Sequence, residues 1–358
     1  MHSPGGRGHP MRRIDRVDQW QRAHPWVGFP IAVIFKFFDD QGSYLAALIT
    51  YYGFVSLFPL LLLLTSILGF VLQGHAQLQQ QIVSSALSQF PVIGDQLRQP
   101  TSLRGNSAAL IIGIAAALYG ALGVAQATQN AMNVAWGVPR HRRPNPIKAR
   151  LRSFGLIATV GIAVLVTTAV SAVGTSASSF GADVSRLGGI LLTAIAFLVN
   201  VVVFAIAFRV TTARRLSTRQ ILPGAVVAAT IWQVLQVVGS AYVGHFVKGS
   251  ESTYGVFAIV LGLLAWVHFA ALGVVLGVEV NVVRVKHLYP RALLTPFTDD
   301  VDLTRGDKQA YTDAAAAQKF KGFEAVHVAF ENDGQNASAT RAQKHRSAET
   351  ESQGEPPL

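Results

Sequence analysis

Cysteine is missing from all 358 residues, which excludes disulfides, thiolate metal ligands and thiol nucleophiles. Charge is scarce as well: 14% of residues are charged against 51% apolar, far from the balance of a soluble globular chain. The usual signatures of soluble enzymes are absent too, with no phosphate-binding Gly-x-x-x-x-Gly-Lys loop, no Gly-x-Ser-x-Gly elbow and no His-Glu-x-x-His pair. The 10 histidines stand singly, and of the 8 acids before residue 296 only Asp39 and Asp40 are adjacent. A metal-dependent nuclease needs several such ligands converging on its ions. The expectation is therefore a chain with no catalytic residue, no metal and no cofactor. Its first 44 residues are polar and basic, without the apolar core of a cleavable signal.

What is present is long apolar blocks. Six are read as membrane spans: Leu45 to Leu72, Ser107 to Trp136, Ser153 to Gly174, Gly188 to Phe208, Gln220 to Val243 and Gly255 to Val283. Each reaches the ~20 residues that a helix needs to cross ~30 Å of hydrocarbon. None alternates as a barrel strand would, and backbone groups inside a bilayer must bond within their own segment. The fold class predicted is all-α: a polytopic membrane protein with six transmembrane helices.

Basic residues set the orientation. Lys and Arg crowd the N-terminal tail, the loop at 140–152, the loop at 209–219 and the exit from the last span, and are sparse in the gaps between. Every second gap is thus basic, which predicts a multi-pass membrane protein with cytoplasmic N and C termini. Residues 1–295 hold 23 basic against 8 acidic groups, whereas residues 296–358 hold 7 against 11. Because the positive charge flanks apolar spans, membrane lipids are the expected partners and nucleic acid is not.

The chain divides into a cytoplasmic N-tail at 1–44, a membrane domain at 45–292 and a polar, acidic C-tail at 293–358. Two short amphipathic helices are expected. One precedes the first span, with Val33, Ile34, Phe37 and Phe38 on the inner leaflet and Lys36 at the headgroups. The other lies in the first external loop, where Leu78, Ile82, Ala86 and Phe90 are spaced helically. The C-tail is expected to be disordered apart from a short helix near Ala314 to Ala325, its Asp299, Asp300 and Asp302 forming a solvated run.

Polar residues inside spans are costly, so each is either a packing device or a site. In the second span Tyr119, Gly123, Gln126, Asn130 and Asn133 fall on one helical face that should avoid lipid. Gln233, Gln236 and Ser240 make a similar stripe in the fifth, its natural partner. Together they line a polar cavity or seal a helix seam. Gly255, Gly262, Gly273 and Gly277 predict close helix approach in the sixth. Glu279, the one acid within a span, has Asn281 beside it and His268 three turns earlier; it binds a proton or cation, or pairs with Arg284 or Arg209. Pro59 predicts a kink in the first span.

Several segments resemble the YihY/virulence factor BrkB family of bacterial inner-membrane proteins. They are Ala46-Ala-Leu-Ile-Thr-Tyr-Tyr-Gly-Phe-Val-Ser-Leu-Phe-Pro-Leu, Asn130 to Trp136, Pro223-Gly-Ala with Trp232, Tyr254-Gly-Val, and Leu276-Gly-Val-Glu-Val-Asn281. The resemblance covers residues 25 to 292. It departs where Gly-Val-Glu-Val-Asn replaces Gly-Ala-Glu-Leu-Asn, and in the acidic C-tail. It implies six helices and a plasma-membrane location, and some members of the family are linked to export of lipid or envelope components and to resistance to host killing. An older ribonuclease label finds no support in these residues. The reading is a transporter or translocation factor for a lipid or other amphipathic substrate, alone or as a homo-oligomer; the alternative is an envelope scaffold that moves nothing.

Overall fold

A computed structural model describes residues 11–71, 107–179, 186–242, 254–298 and 301–330. The expected amphipathic helix at 73–106 lies outside them. Two short helices, α1 (Met11–Ala23) and α2 (Pro25–Asp39), lead into six long ones. These are α3 (Gly42–Val71), α4 (Ser107–Ala135), α5 (Pro146–Ser179), α6 (Arg186–Thr211), α7 (Thr218–Tyr242) and α8 (Tyr254–Lys286). A last helix, α9 (Arg305–Ala317), follows in the C-terminal segment. Each of the six apolar blocks thus forms one helix. Among the described residues, Thr193–Thr211, Thr218–Gly239 and Val260–Lys286 are long and apolar enough to cross a bilayer, and Gly42–Leu57 is a shorter apolar stretch.

The long helices pack in chain order as a ring. Each contacts the next from α3 to α8, and α8 closes against α3; the closest partnerships are α3 with α4 and α7 with α8. Small residues set both. A Cβ added at Gly120 would lie 2.4 Å from Ser56 Cβ, and one at Gly123 would lie 2.2 Å from the Tyr52 ring. On the other pair, Gly273 faces Ile231 and Gly277 faces Gly224 and Ala228, as the glycine face of the sixth block predicts. The expected partnership of the second and fifth spans is corrected: α4 belongs with α3, and α7 with α8. Glycine rather than polar residues decides this, because backbones approach closest where no side chain stands between them. Helix α3 runs unbroken through Pro59.

At one end of the ring the N-terminal segment, the loops after α4 and α6, and the C-terminal segment meet. Arg22 Nη2 donates to the Asp302 carbonyl (3.1 Å), Leu293 N–H to Asp18 Oδ1 (2.9 Å), Arg140 Nη2 to Gln318 (3.2 Å), and Arg152 Nη1 to the Thr212 carbonyl (3.2 Å). This end is called the base below.

Two expectations for the flanks change. The C-terminal segment is ordered and docked through residue 330, and its helix is Arg305–Ala317 rather than Ala314 to Ala325. Thr304 starts it with a capping box in which Asp307 N–H donates to Thr304 Oγ1 (3.1 Å) and Thr304 N–H to Asp307 Oδ2 (2.9 Å). In α2, Ile34 and Phe38 are exposed as a surface-lying helix requires, but Val33, Phe37 and Lys36 are buried against the bundle.

Candidate functional site

The end of α2 meets the end of α8 at the base, and the charges of both are buried there. Lys36, 5% exposed, donates to Asp40 one turn later, and its Nζ lies 3.8 Å from Glu279 Oε2. It also donates to the Ala135 carbonyl at the end of α4 (3.3 Å). Glu279 has no exposed surface, and neither carboxylate oxygen has a hydrogen bond. Its expected partners Arg284 and Arg209 are replaced by Lys36. On α8 only certain faces point into the ring; Glu279 points at α2, whose fold against the base delivers a cation that linear sequence places 243 positions away.

Burial works to lower the Lys36 pKa, but Glu279, Asp40 and Asp39 outweigh it and hold the ammonium above its usual range. Asp40 is pushed up by burial, against the pull of Lys36. Two carboxylates thus share one ammonium in a dry place, and a full complement of negative charge there is costly.

A second ionic cluster lies beside the first. Arg291, with no exposed surface, donates from Nε to Asp307 Oδ1 (2.5 Å) and from Nη2 to Asp39 Oδ2 (2.9 Å). Asp307 Oδ2 also accepts the Ala292 N–H (3.0 Å), and Gln21 Nε2 donates to the Arg291 carbonyl (2.6 Å). Asp39 and Asp40 are therefore divided between Arg291 and Lys36.

The other expected residues fall in separate places. Tyr119 (64% exposed) and Gln126 point away from the packed interior, contrary to the expectation that their face avoids the outside. Gly123 of that same predicted face, together with Gly120, is turned toward α3 instead. Lower on α4 the base covers every side: Asn130 accepts from Arg143 Nη1 (3.1 Å), and buried Asn133 accepts the Ala213 N–H (2.9 Å) after α6. Gln233 and Gln236 are half-buried on α7, and the Ser240 side chain lies outside the described residues. His268 Nδ1 pairs with Thr50 Oγ1 of α3 (3.2 Å), away from Glu279. Asn281 is buried and accepts the Gly224 N–H of α7 (2.7 Å). Asn281→Ala is expected to destabilise by about 1–3 kcal/mol, the cost of stranding that buried donor, measured by thermal unfolding in detergent.

Sequence reading missed Lys36, Asp39, Asp40, Arg291 and Asp307 as one system. One signal was available: Lys36 and Asp40 are spaced i, i+4 at the end of an otherwise apolar helix. Buried Gln129, which donates to Ser153 Oγ (2.9 Å) and joins α4 to α5, was likewise passed over.

The sequence that builds these helices is matched by a known protein family. The virulence factor BrkB family matches residues 33–296. The chain belongs to this family. It is thus a multi-pass membrane protein of the BrkB family. Similar curated proteins include the ribonuclease-like protein YfkH of Bacillus subtilis, 25% identical over 67% of this chain and 89% of the relative. The inner membrane protein YhjD of Escherichia coli is 25% identical over 69% of this chain and 78% of the relative. A UPF0761 membrane protein of Aeromonas salmonicida is 24% identical over 68% and 84%. No solved structure matches. The BrkB match includes Lys36, Asp39, Asp40, Glu279 and Arg291 but ends short of α9, so Asp307 is added to the base from outside the matched region.

Proposed function

We propose that this BrkB-family chain is an inner-membrane translocation factor for a lipid or another amphipathic envelope component, not an enzyme. In this reading α3 to α8 all cross the bilayer, and the base with both termini faces the cytoplasm. The alternating Lys and Arg support that orientation. So does the meeting at one end of the N-terminal segment, the loops after α4 and α6, and the C-terminal segment.

The observation that carries the proposal is Glu279, fully buried near the end of an apolar helix with its carboxylate 3.8 Å from the Lys36 ammonium. A bundle built only for stability does better with an apolar residue there, since a buried ion pair rarely repays its desolvation. An intramembrane acid is costly and is by default a candidate functional site. In this reading Lys36 is released from Glu279 as α2 and α8 separate at the base. The interior at spans two and five is no longer part of the reading, because α4 and α7 pack against other helices.

The test is complementation of a deletion strain, with arrival of pulse-labelled lipid in the outer leaflet as the readout. Glu279→Gln, expressed and folded as wild type, is expected to complement no better than empty vector. Wild-type rates would overturn the proposal. The scaffold reading is tested by deleting residues 331–358, a cut that spares the docked α9. Loss of function with lipid movement intact would favour a scaffold. Among the described residues no group of three His, Asp or Glu converges to hold a metal, and metal-dependent cleavage of RNA by the purified chain would contradict the non-enzymatic reading.

A further inference from the structure

A cavity of about 640 Å³ opens at the base where three long helices end. Trp136 follows the last residue of α4, Arg214 lies just past the end of α6, and Lys286 is the last residue of α8. Arg142, from the loop after α4, and Asp313 of α9 complete its charged lining. The cations are not equally engaged. Lys286 Nζ is anchored by Asp313 Oδ2 (2.8 Å) and the Trp136 carbonyl (3.0 Å). The Arg214 guanidinium lies over the Trp136 ring, 5.4 Å from its centroid. Among the described residues the Arg142 and Arg214 side chains have no ion pair or hydrogen bond. Gly137 lines the cavity at φ +60, and a Cβ there would come within 3.3 Å of Lys286 Nζ.

We infer that this cavity is a phosphate-binding site, in which Arg142 and Arg214 take the oxygens of a phosphate group, the Arg214 guanidinium resting on the buried Trp136 ring. Three cations face one carboxylate, and that carboxylate is already held by Lys286, so the cavity attracts an anion. Guanidinium forks match phosphate oxygens better than a point charge does. The cavity lies where apolar helices give way to polar loops, which in the orientation proposed above is the depth of lipid headgroups, and basic pockets there suit anionic headgroups. The site stands apart from the transport proposal, since a bound headgroup needs no translocation.

The test uses the full-length chain in detergent, titrated with short-chain phosphatidylglycerol, short-chain phosphatidylcholine and inorganic phosphate. Arg142 and Arg214 are both exposed, so Arg142→Ala/Arg214→Ala is expected to keep the wild-type melting temperature. It should weaken phosphatidylglycerol binding about tenfold or more through loss of two charge-assisted contacts. Arg150→Ala/Arg215→Ala removes the same charge from exposed positions outside the cavity and should leave binding unchanged. Phosphatidylglycerol binding with inorganic phosphate inert identifies a lipid headgroup as the source. Binding of inorganic phosphate that the first double variant abolishes supports the site with a soluble occupant. If neither phosphatidylglycerol nor phosphate binds, if phosphatidylcholine binds as tightly as phosphatidylglycerol, or if the two double variants behave alike, the inference fails.

Discussion

Arg291→Ala is expected to destabilise the base by about 3–5 kcal/mol, the usual cost of removing one partner from a buried ionic cluster. The side chain has no exposed surface, and its loss strands Asp307, which is equally buried, and unpairs Asp39. Asp307 also fixes the start of α9 through the Thr304 cap, so the damage should spread to the docked C-terminal segment. The expected signs are a lowered melting temperature in detergent and faster tryptic cleavage between residues 301 and 330. Arg291→Lys keeps the charge but cannot reach both carboxylates as a guanidinium fork does, and should fall between wild type and Ala. Arg215→Ala, exposed and away from both clusters, should stay within about 0.5 kcal/mol of wild type. Equal stability of Arg291→Ala and Arg215→Ala would show that the cluster does not hold the base together.

Gly224→Ala should be comparably damaging, for a steric reason. A Cβ there would lie 1.9 Å from the Gly277 carbonyl oxygen and 2.5 Å from Asn281 Nδ2. The first of these is backbone, so relief requires α7 and α8 to separate. Overpacking of this kind costs about 1–3 kcal/mol or more. Separation also breaks the Gly224 N–H to Asn281 bond, stranding a buried donor for about another 1–3 kcal/mol. The variant is expected to accumulate poorly in the membrane and to lose its single folded peak in size exclusion. Gly161→Ala on α5 is the control: nothing lies within 4 Å of an added Cβ. There, replacing a helical glycine should be neutral or stabilise by about 0.5–1 kcal/mol. A Gly224→Ala chain as stable as Gly161→Ala would mean that α7 and α8 do not meet as closely as described.

The candidate site was legible only in part. Glu279 stood out because an acid inside an apolar block has no ordinary surface to occupy, and Asn281 stood out with it. Their partners did not, because Lys36 and Gly224 come to them from other helices. The glycines of the sixth block did predict close packing, since a missing side chain restricts packing from one side only. The polar stripe of α4 misled for the complementary reason. Periodicity tells which residues share a face, but the neighbouring helix decides whether that face is covered. The C-tail misled in a third way: its composition reads as solvated, yet Asp307 buried against Arg291 and Asp313 paired with Lys286 dock α9.

The amino-acid order alone determined that this chain is built of six long apolar helices, because only an intrahelical ladder satisfies backbone groups over stretches so poor in charge. It also determined the family, through short motifs that keep their order along the chain. Tertiary structure alone decided which helix lies beside which, that Asp39 and Asp40 serve different cations, and that Lys36 is the partner of Glu279. Those outcomes depend on Coulomb and contact interactions between groups that for the most part lie tens to hundreds of positions apart, which act over a few ångströms and therefore exist only once the chain has folded.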